Sequence, residues 1–355
     1  MQVPVKVAVL GASGYIGGEA LRLLLGHPCI EVAAVTSPSN ADQPVTSVHP
    51  HLAKLTDLKF RADIETEEAG EYDAIFMALP HGKAMVRAPQ MLNAGGKGGP
   101  RGEGPLLLDM SGDFRIKDPH VFEKYYGIPH SEPDRAVSTA YGLTEWNREA
   151  ITKARLVACP GCFPTGALLA LTPLASAGLL EGHVVIDSKT GSSGSGKEPG
   201  EGTHHPTRTN DFRAYGIFKH RHLPEIAQEL GKWKDHADQL QVVFTPHSAP
   251  MVRGIFTTAY AFLSTPLSAT ELDEIYHEAY ASEHFVRLVD NPRVGVVAYS
   301  NFCDLNASTD GEGTVIVTSA IDNLVKGGAG QAVQNLNVAF GWPERLGLTF
   351  PGTMP

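Results

Sequence analysis

The chain has 355 residues, 42% of them hydrophobic and 19% charged, with a formal net charge of −10. That length exceeds one ordinary domain and fits two of roughly 150 residues each, with apolar residues enough for two cores. The negative balance argues against a nucleic-acid or anionic-membrane surface, and no stretch approaches the roughly 18 apolar residues of a membrane span. Four cysteines (Cys29, Cys159, Cys162, Cys303) in such a chain are no disulfide framework, and a soluble cytoplasmic protein is expected.

In chain order, VKVAVL (5–10) reads as a short strand, not a signal peptide, because a glycine turn follows at once. GASGYIGGEALRLLLGHP then opens a helix with Leu21, Leu24 and Leu25 at helical spacing, closed by Gly26 and Pro28. IEVAAVTS (30–37), YDAIFMALP (72–80) and PLLLDMS (105–111) are further strands, separated by helical stretches in the β-α-β rhythm of a parallel sheet. Between the last two, NAGGKGGPRGEGP (93–105) holds six glycines and two prolines and reads as a flexible surface loop, an insertion and not a lid. From about residue 155 the alternation becomes that of antiparallel strands, as in LQVVFTPHSAPMVRGIFTTAYAFL, and SATELDEIYHEAYA (268–281) opens with a capping box. The expected organisation is an α/β protein: a dinucleotide domain over 1–155 and a mixed-sheet domain over 156–325. A final helix, about 326–355, is expected to pack back on the first domain.

Gly11, Gly14 and Gly17 form G-x-x-G-x-x-G between the first strand and its helix. Such a turn lets backbone amides approach a pyrophosphate at a helix N-terminus; a plain β-α turn is the bland alternative. An NAD site usually carries an acid at the end of the second strand, for the ribose diol. Here the strand ends VTSPSN, with Thr36, Ser37, Ser39 and Asn40 and no acid, which favours NADP, although no arginine lies in the stretch.

VACPGCFPTGALLAL (157–171) sets two cysteines two residues apart before an apolar helix. A redox dithiol, half a zinc site and a single nucleophile compete for this pair. Zinc would need two further ligands, and Cys29 and Cys303 are isolated. A dithiol would need both thiols reactive, and no thioredoxin-like context surrounds them. In the third reading Cys162 lies just before a helix whose amides stabilise a thiolate and an oxyanion, while Cys159 is a buried small apolar residue. YGIFKHRHLPEI (215–226) supplies His220 and His222 as candidate bases, with Glu225 to orient an imidazole. An NADP fold joined to a thiol nucleophile suits reduction of an acyl phosphate through a thioester to an aldehyde. An NADP-sensing regulator on the same fold would have no use for the thiol and paired histidines.

GASGYIGGEALRLL, ALPHG, SGDFR, PGCFPTGALLAL, FKHRHLPEI, PMVRGI and DNLVKGGAGQAVQNLN occur in the order found in N-acetyl-gamma-glutamyl-phosphate reductases, and the chain resembles that family over nearly its whole length. The resemblance implies a Rossmann domain plus a mixed-sheet α/β domain for substrate and oligomerisation, as in semialdehyde dehydrogenases, with NADP(H) as cofactor and a homodimer or homotetramer as the assembly. It implies Cys162 as the thiol, His222 as acid/base, and His220 and Glu225 as supporting residues. It implies Gly11, Gly14, Gly17 and Asn323 on the cofactor, and the expected cofactor set is completed by Ser13, Tyr15 and Ile16 of the turn, Ser37 and Ser39 of the strand end, and Pro80 and His81 of ALPHG. Arg115, Arg221 and Arg253 become candidates for the substrate anions, each with a structural ion pair as its alternative. SSGSGKEPGEGTHHP (192–206) departs from the usual pattern, and its THHP is similar to a close relative, the reductase of the carrier-protein lysine pathway. That relative implies an alternative substrate, a 2-aminoadipyl phosphate carried on a small acidic protein, recognised by a patch built from KHRH and Arg208.

Overall fold

The computed structural model describes residues 3–96, 98–233 and 240–354. The chain divides into two compact units, residues 1–161 with 328–349 and residues 162–327 with 350–355.

In the first unit six described strands form a wholly parallel sheet: β1 (Val5–Leu10), β2 (Ile30–Val35), β3 (Ala74–Met77), β4 (Leu106–Asp109), β5 (Ala140–Tyr141) and β6 (Leu156–Ala158), in the order β2-β1-β3-β4-β6-β5. Every residue of β3 (AIFM) and β4 (LLLD) is buried, the continuous apolar run of a strand covered on both faces, whereas edge strand β2 alternates. Strand order reverses beside β1, so the C-terminal ends of β1 and β3 are where a doubly wound sheet takes its ligand. The first unit ends after β6, at residue 161 and not at 155, because β6 is hydrogen-bonded between β4 and β5.

The late helix Gly330–Ala339 belongs to this unit and packs on the helices Thr144–Lys153 and Tyr15–Leu25. It is buried along its whole length despite Gln331, Gln334, Asn335 and Asn337. Their amide nitrogens are matched: Gln331 and Asn335 donate to the Gly142 carbonyl, Gln334 to Glu145, and Asn337 to the carbonyls of Glu344 and Leu346. Residues 350–354 go with the second unit instead. The 93–105 segment, expected to be flexible, is pinned where β3 and β4 begin, at the sheet end away from the glycine turn. Arg101 donates to the carbonyls of Thr152 and Ala154, and the Gly99 amide to Asp73; Lys97 lies outside the described residues.

In the second unit the described strands are β7 (His183–Thr190), β8 (Arg213–Ala214), β9 (Gln241–Ser248), β10 (Ile255–Phe262), β11 (Val286–Leu288), β12 (Cys303–Thr309) and β13 (Thr314–Ile321). They form one mixed sheet in the order β11-β12-β13-β10-β7-β9-β8, with β10 antiparallel to both neighbours and β7 parallel to β9. β7 and β10 alternate buried and half-buried positions, the signature of a sheet with one covered face. Against that face lies the helix Cys162–Ser176, whose residues from Phe163 to Ala175 are all buried. Pro173 sits inside it and has no N–H for the Leu169 carbonyl, which instead accepts the Tyr280 hydroxyl at 2.5 Å.

Candidate active site

The glycine turn joins β1 to the helix Tyr15–Leu25. Gly11 has φ +71, and a side chain there would strike the Ala78 carbonyl at the end of β3; at Gly17 one would strike Ala12. These two glycines draw the turn onto the sheet, and Gly14 as N-cap gives the first-turn amides no side-chain cap. Tyr15 is exposed and Ile16 half-buried at this helix start. Beside them Ser37, 1% exposed, donates to Ser13 Oγ at 2.9 Å, and the Asn40 amide donates to Ser37 (2.8 Å) and Ser39 (3.0 Å). This hydroxyl and amide cluster contains no carboxylate and fits the 2′-phosphate of NADP. The fold also brings an arginine that 36–40 lacks, since Ser37 N–H donates to the Arg61 carbonyl, but the Arg61 guanidinium pairs with Glu68 at 2.6 Å. The other predicted cofactor residues, Pro80 and His81, follow β3. His81 Nδ1 accepts the Gly112 amide at 2.9 Å, and Asp113 accepts the amides of Gly82 and Met85, tying the ALPHG and SGDFR segments together.

Cys159 stands at the end of β6, 1% exposed, with its thiol pushed up to about 12 by burial and by the Asp109 carboxyl. Such a thiol stays protonated and inert near neutral pH. Its carbonyl accepts Arg115 Nε at 2.7 Å, and Arg115 also donates to the Met110 carbonyl at 3.0 Å. Arg115, 5% exposed, thus supports backbone; the anion role expected of it meets a guanidinium already engaged.

Cys162 is the first residue of the helix Cys162–Ser176 and is half-buried. Pro164 fits the first turn, where its missing N–H costs nothing, and the helix dipole favours a thiolate at this end. Gly327 passes so close that a Cβ there would lie 2.9 Å from Cys162 Cβ. The adjoining Phe163 ring meets His220, His222 and Phe244 edge-on at centroid distances of 5.5, 5.9 and 5.3 Å. The residue after the thiol therefore seats both histidines. His220 Nδ1 accepts the backbone N–H of His222 at 3.2 Å, so a neutral His220 carries its proton on Nε2. Burial, reinforced by Arg221, lowers His220 to about 4 and keeps it neutral. His222, 8% exposed, opens the helix His222–Gly231, and fully buried Glu225 lies three residues on, along the same face.

Tyr215 completes this cluster and was not singled out from the sequence. Its ring meets His220 at 5.6 Å, and burial together with the neighbouring Cys162 pushes its phenol up. Its only sequence signal is that it opens the segment containing both histidines. Arg221 is exposed at the start of the His222 helix. Arg253 is held by Asp322 in a two-point ion pair, both contacts 2.9 Å, with its guanidinium 4.1 Å over the Tyr299 ring. That is the structural alternative to anion binding. Asn323, 1% exposed, accepts the Gly254 amide at 2.7 Å and donates to Ser193 at 2.9 Å, bonds within its own unit that occupy the side chain expected on the cofactor. Arg208 is buried against Ser248 and the carbonyls of Thr190 and Ala249, which removes it from any surface patch.

Residues 6–154 match the semialdehyde dehydrogenase NAD binding domain, and residues 162–323 the semialdehyde dehydrogenase dimerisation domain. Proteins named N-acetyl-gamma-glutamyl-phosphate reductase from Methanopyrus kandleri and Methanosarcina acetivorans are 45% and 46% identical, each over 99% of this chain and 100% of their own length. Aspartate semialdehyde dehydrogenase II of Vibrio cholerae, solved with ASA, shares the fold at TM-score 0.71 and 16% identity over 95% of this chain and 98% of that one. The aspartate semialdehyde dehydrogenase of Candida albicans, solved with NADP, does so at 0.67 and 13% over 95% and 99%. The chain belongs to the semialdehyde dehydrogenase family of oxidoreductases and, within it, to the N-acetyl-gamma-glutamyl-phosphate reductases.

Proposed function

We propose that this chain reduces N-acetyl-L-glutamyl 5-phosphate to N-acetyl-L-glutamate 5-semialdehyde with release of phosphate, a step of arginine biosynthesis, using NADPH and a thioester on Cys162. The observation that carries the mechanism is the contrast between the two cysteines. Cys162 heads a helix in a cluster with Tyr215 and His220, while Cys159 is buried and held protonated.

The Cys162 thiolate attacks the acyl carbon and expels phosphate, leaving a thioester, a far better hydride acceptor than a carboxylate. Amides of the helix start and the His220 Nε2–H are donors suited to the oxyanion that forms and collapses. His222, oriented by Glu225, takes the thiol proton, gives one to the oxygen of the reduced thioester to make a hemithioacetal, and takes it back as the C–S bond breaks, which frees the aldehyde and the Cys162 thiolate. NADPH, when bound, supplies the hydride; Gly11, Ser13, Gly14, Tyr15, Ile16 and Gly17 would hold its pyrophosphate and Ser37 with Ser39 its 2′-phosphate, beside Pro80 and His81. Arg221, exposed at the start of the His222 helix, is the candidate for the substrate anions; Arg115 donates to backbone carbonyls and Arg253 to Asp322. The dimerisation-domain match supports a homodimer or homotetramer.

A second reading keeps the reaction and changes the substrate to 2-aminoadipyl phosphate on an acidic carrier protein. It is favoured by the exposure of Phe212 (54%), Ile217 (48%) and Phe218 (67%), together with exposed Lys219 and Arg221, in the segment that carries Tyr215 and His220. An assay of NADP reduction in the aldehyde-oxidising direction, with phosphate, decides. The first reading expects turnover of free N-acetylglutamate semialdehyde, and turnover of the carrier-bound aldehyde alone would replace it with the second.

A further inference from the structure

The helix after the glycine turn contains a fourth glycine, Gly18, for which the dinucleotide motif has no use. A Cβ at Gly18 would lie 2.4 Å from Cε1 and 2.7 Å from Nδ1 of His49. The imidazole occupies the space a side chain would take, 7% exposed, and its Nε2 donates to the Ala12 carbonyl at 2.8 Å. Ala12 is the second residue of the turn, and its other edge is also held, the amide donating to the Thr36 carbonyl at 2.8 Å. In a trans peptide the carbonyl of one residue and the N–H of the next point in opposite directions. Drawing the Ala12 carbonyl onto His49 therefore turns the Ser13 N–H away from the histidine, and no hydrogen bond engages that amide among the described residues.

We propose that His49 is a positioning residue for the cofactor pyrophosphate: it holds the Ala12 carbonyl back so that the Ser13 amide is presented as a phosphate donor, and Gly18 is glycine to admit the imidazole. This rests on the reading of the turn as the dinucleotide site. His49 is itself set by its amide bond to the Val45 carbonyl at 2.9 Å and by ring contacts with Phe60 and His51 at 6.4 and 5.8 Å.

The test is direct binding, with NADPH and 2′-AMP titrated by calorimetry into the full-length protein. His49→Phe keeps a ring and loses the donor, so its Kd for NADPH should rise about fivefold or more, the worth of one hydrogen bond. 2′-AMP has no pyrophosphate and should bind with its original affinity. His49→Gln retains an N–H donor and should recover most of the loss. Gly18→Ala should weaken NADPH binding in the parent and add little in a His49→Ala background, where the ring it strikes is gone. His49→Phe binding NADPH as tightly as the parent overturns the proposal. So does an equal loss for 2′-AMP, which would mean general damage to the unit. A parent protein that binds neither nicotinamide nucleotide would instead overturn the cofactor reading, and this proposal with it.

Discussion

Asp109 offers a quantitative check on the first unit. The residue ends β4 with no exposed surface, and no hydrogen bond reaches its Oδ2. Burial, then repulsion from Asp113, raises its carboxyl to about 7 against the Ser111 bonds and Arg115 that oppose the shift. In the unfolded chain an aspartate titrates near 4. Between about pH 4 and 7 the folded state therefore holds a proton that the unfolded state has released, and stability falls as pH rises through that window. At about 1.4 kcal/mol per pH unit, raising the pH from 5 to 7 should cost about 2 kcal/mol through this group. Asp109→Asn removes the term. Urea unfolding, with labelling of buried Cys159 as the local reporter, should show wild type losing about 2 kcal/mol more than the variant over that interval. Parallel pH dependence in the two proteins would refute the raised carboxyl and the dry environment assigned to the end of β4.

Tyr280→Phe should destabilise the second unit by about 1–2 kcal/mol, because it strands the Leu169 carbonyl that Pro173 cannot serve; a melting scan checks this. Ser37→Asp should weaken NADPH by like-charge repulsion and spare NADH, read from kcat/KM with each. Arg221→Lys should raise the substrate KM, whereas Arg115→Lys and Arg253→Lys should act mainly on stability, and unchanged kinetics in Arg221→Lys would remove it as an anion site. His220 should remain neutral in an NMR titration down to about pH 4, contributing stability that is present above about 6.5 and lost as pH falls through 4.

Local chemistry was legible in the sequence wherever it is local in the chain. The glycine turn, the parallel rhythm from β1 to β4 and the Ser268 capping box each depend on residues a few positions apart. The position of Cys162 at a helix start was legible for the same reason, since the apolar helix follows it directly in the chain. Long-range partners carried no such signal. Arg253 is paired with an aspartate 69 residues away, and Asn323 with a serine 130 residues back. Neither bond has a signal in the sequence, where Arg253 is open between an anion site and an ion pair and Asn323 is named only through the family resemblance. The 93–105 segment looked mobile from its glycines because Arg101's acceptors, Thr152 and Ala154, lie some fifty residues downstream. His49 was silent in the same way, being one of 15 histidines and distinguished by an acceptor 37 residues distant.

The single-thiol mechanism is tested most directly by mapping the covalent adduct. Enzyme incubated with the acyl phosphate and no NADPH, then quenched in acid and digested, should carry a thioacyl group on Cys162 alone when the peptides are weighed. Cys159→Ser should form the same adduct, at a stability cost on the order of 1 kcal/mol, and Cys162→Ser should form none while binding NADPH with unaltered affinity. A histidine base does not readily make an alkoxide from serine without a triad built for it. An adduct on Cys159, or near-native turnover by Cys162→Ser, would contradict the account and return the pair to a redox reading.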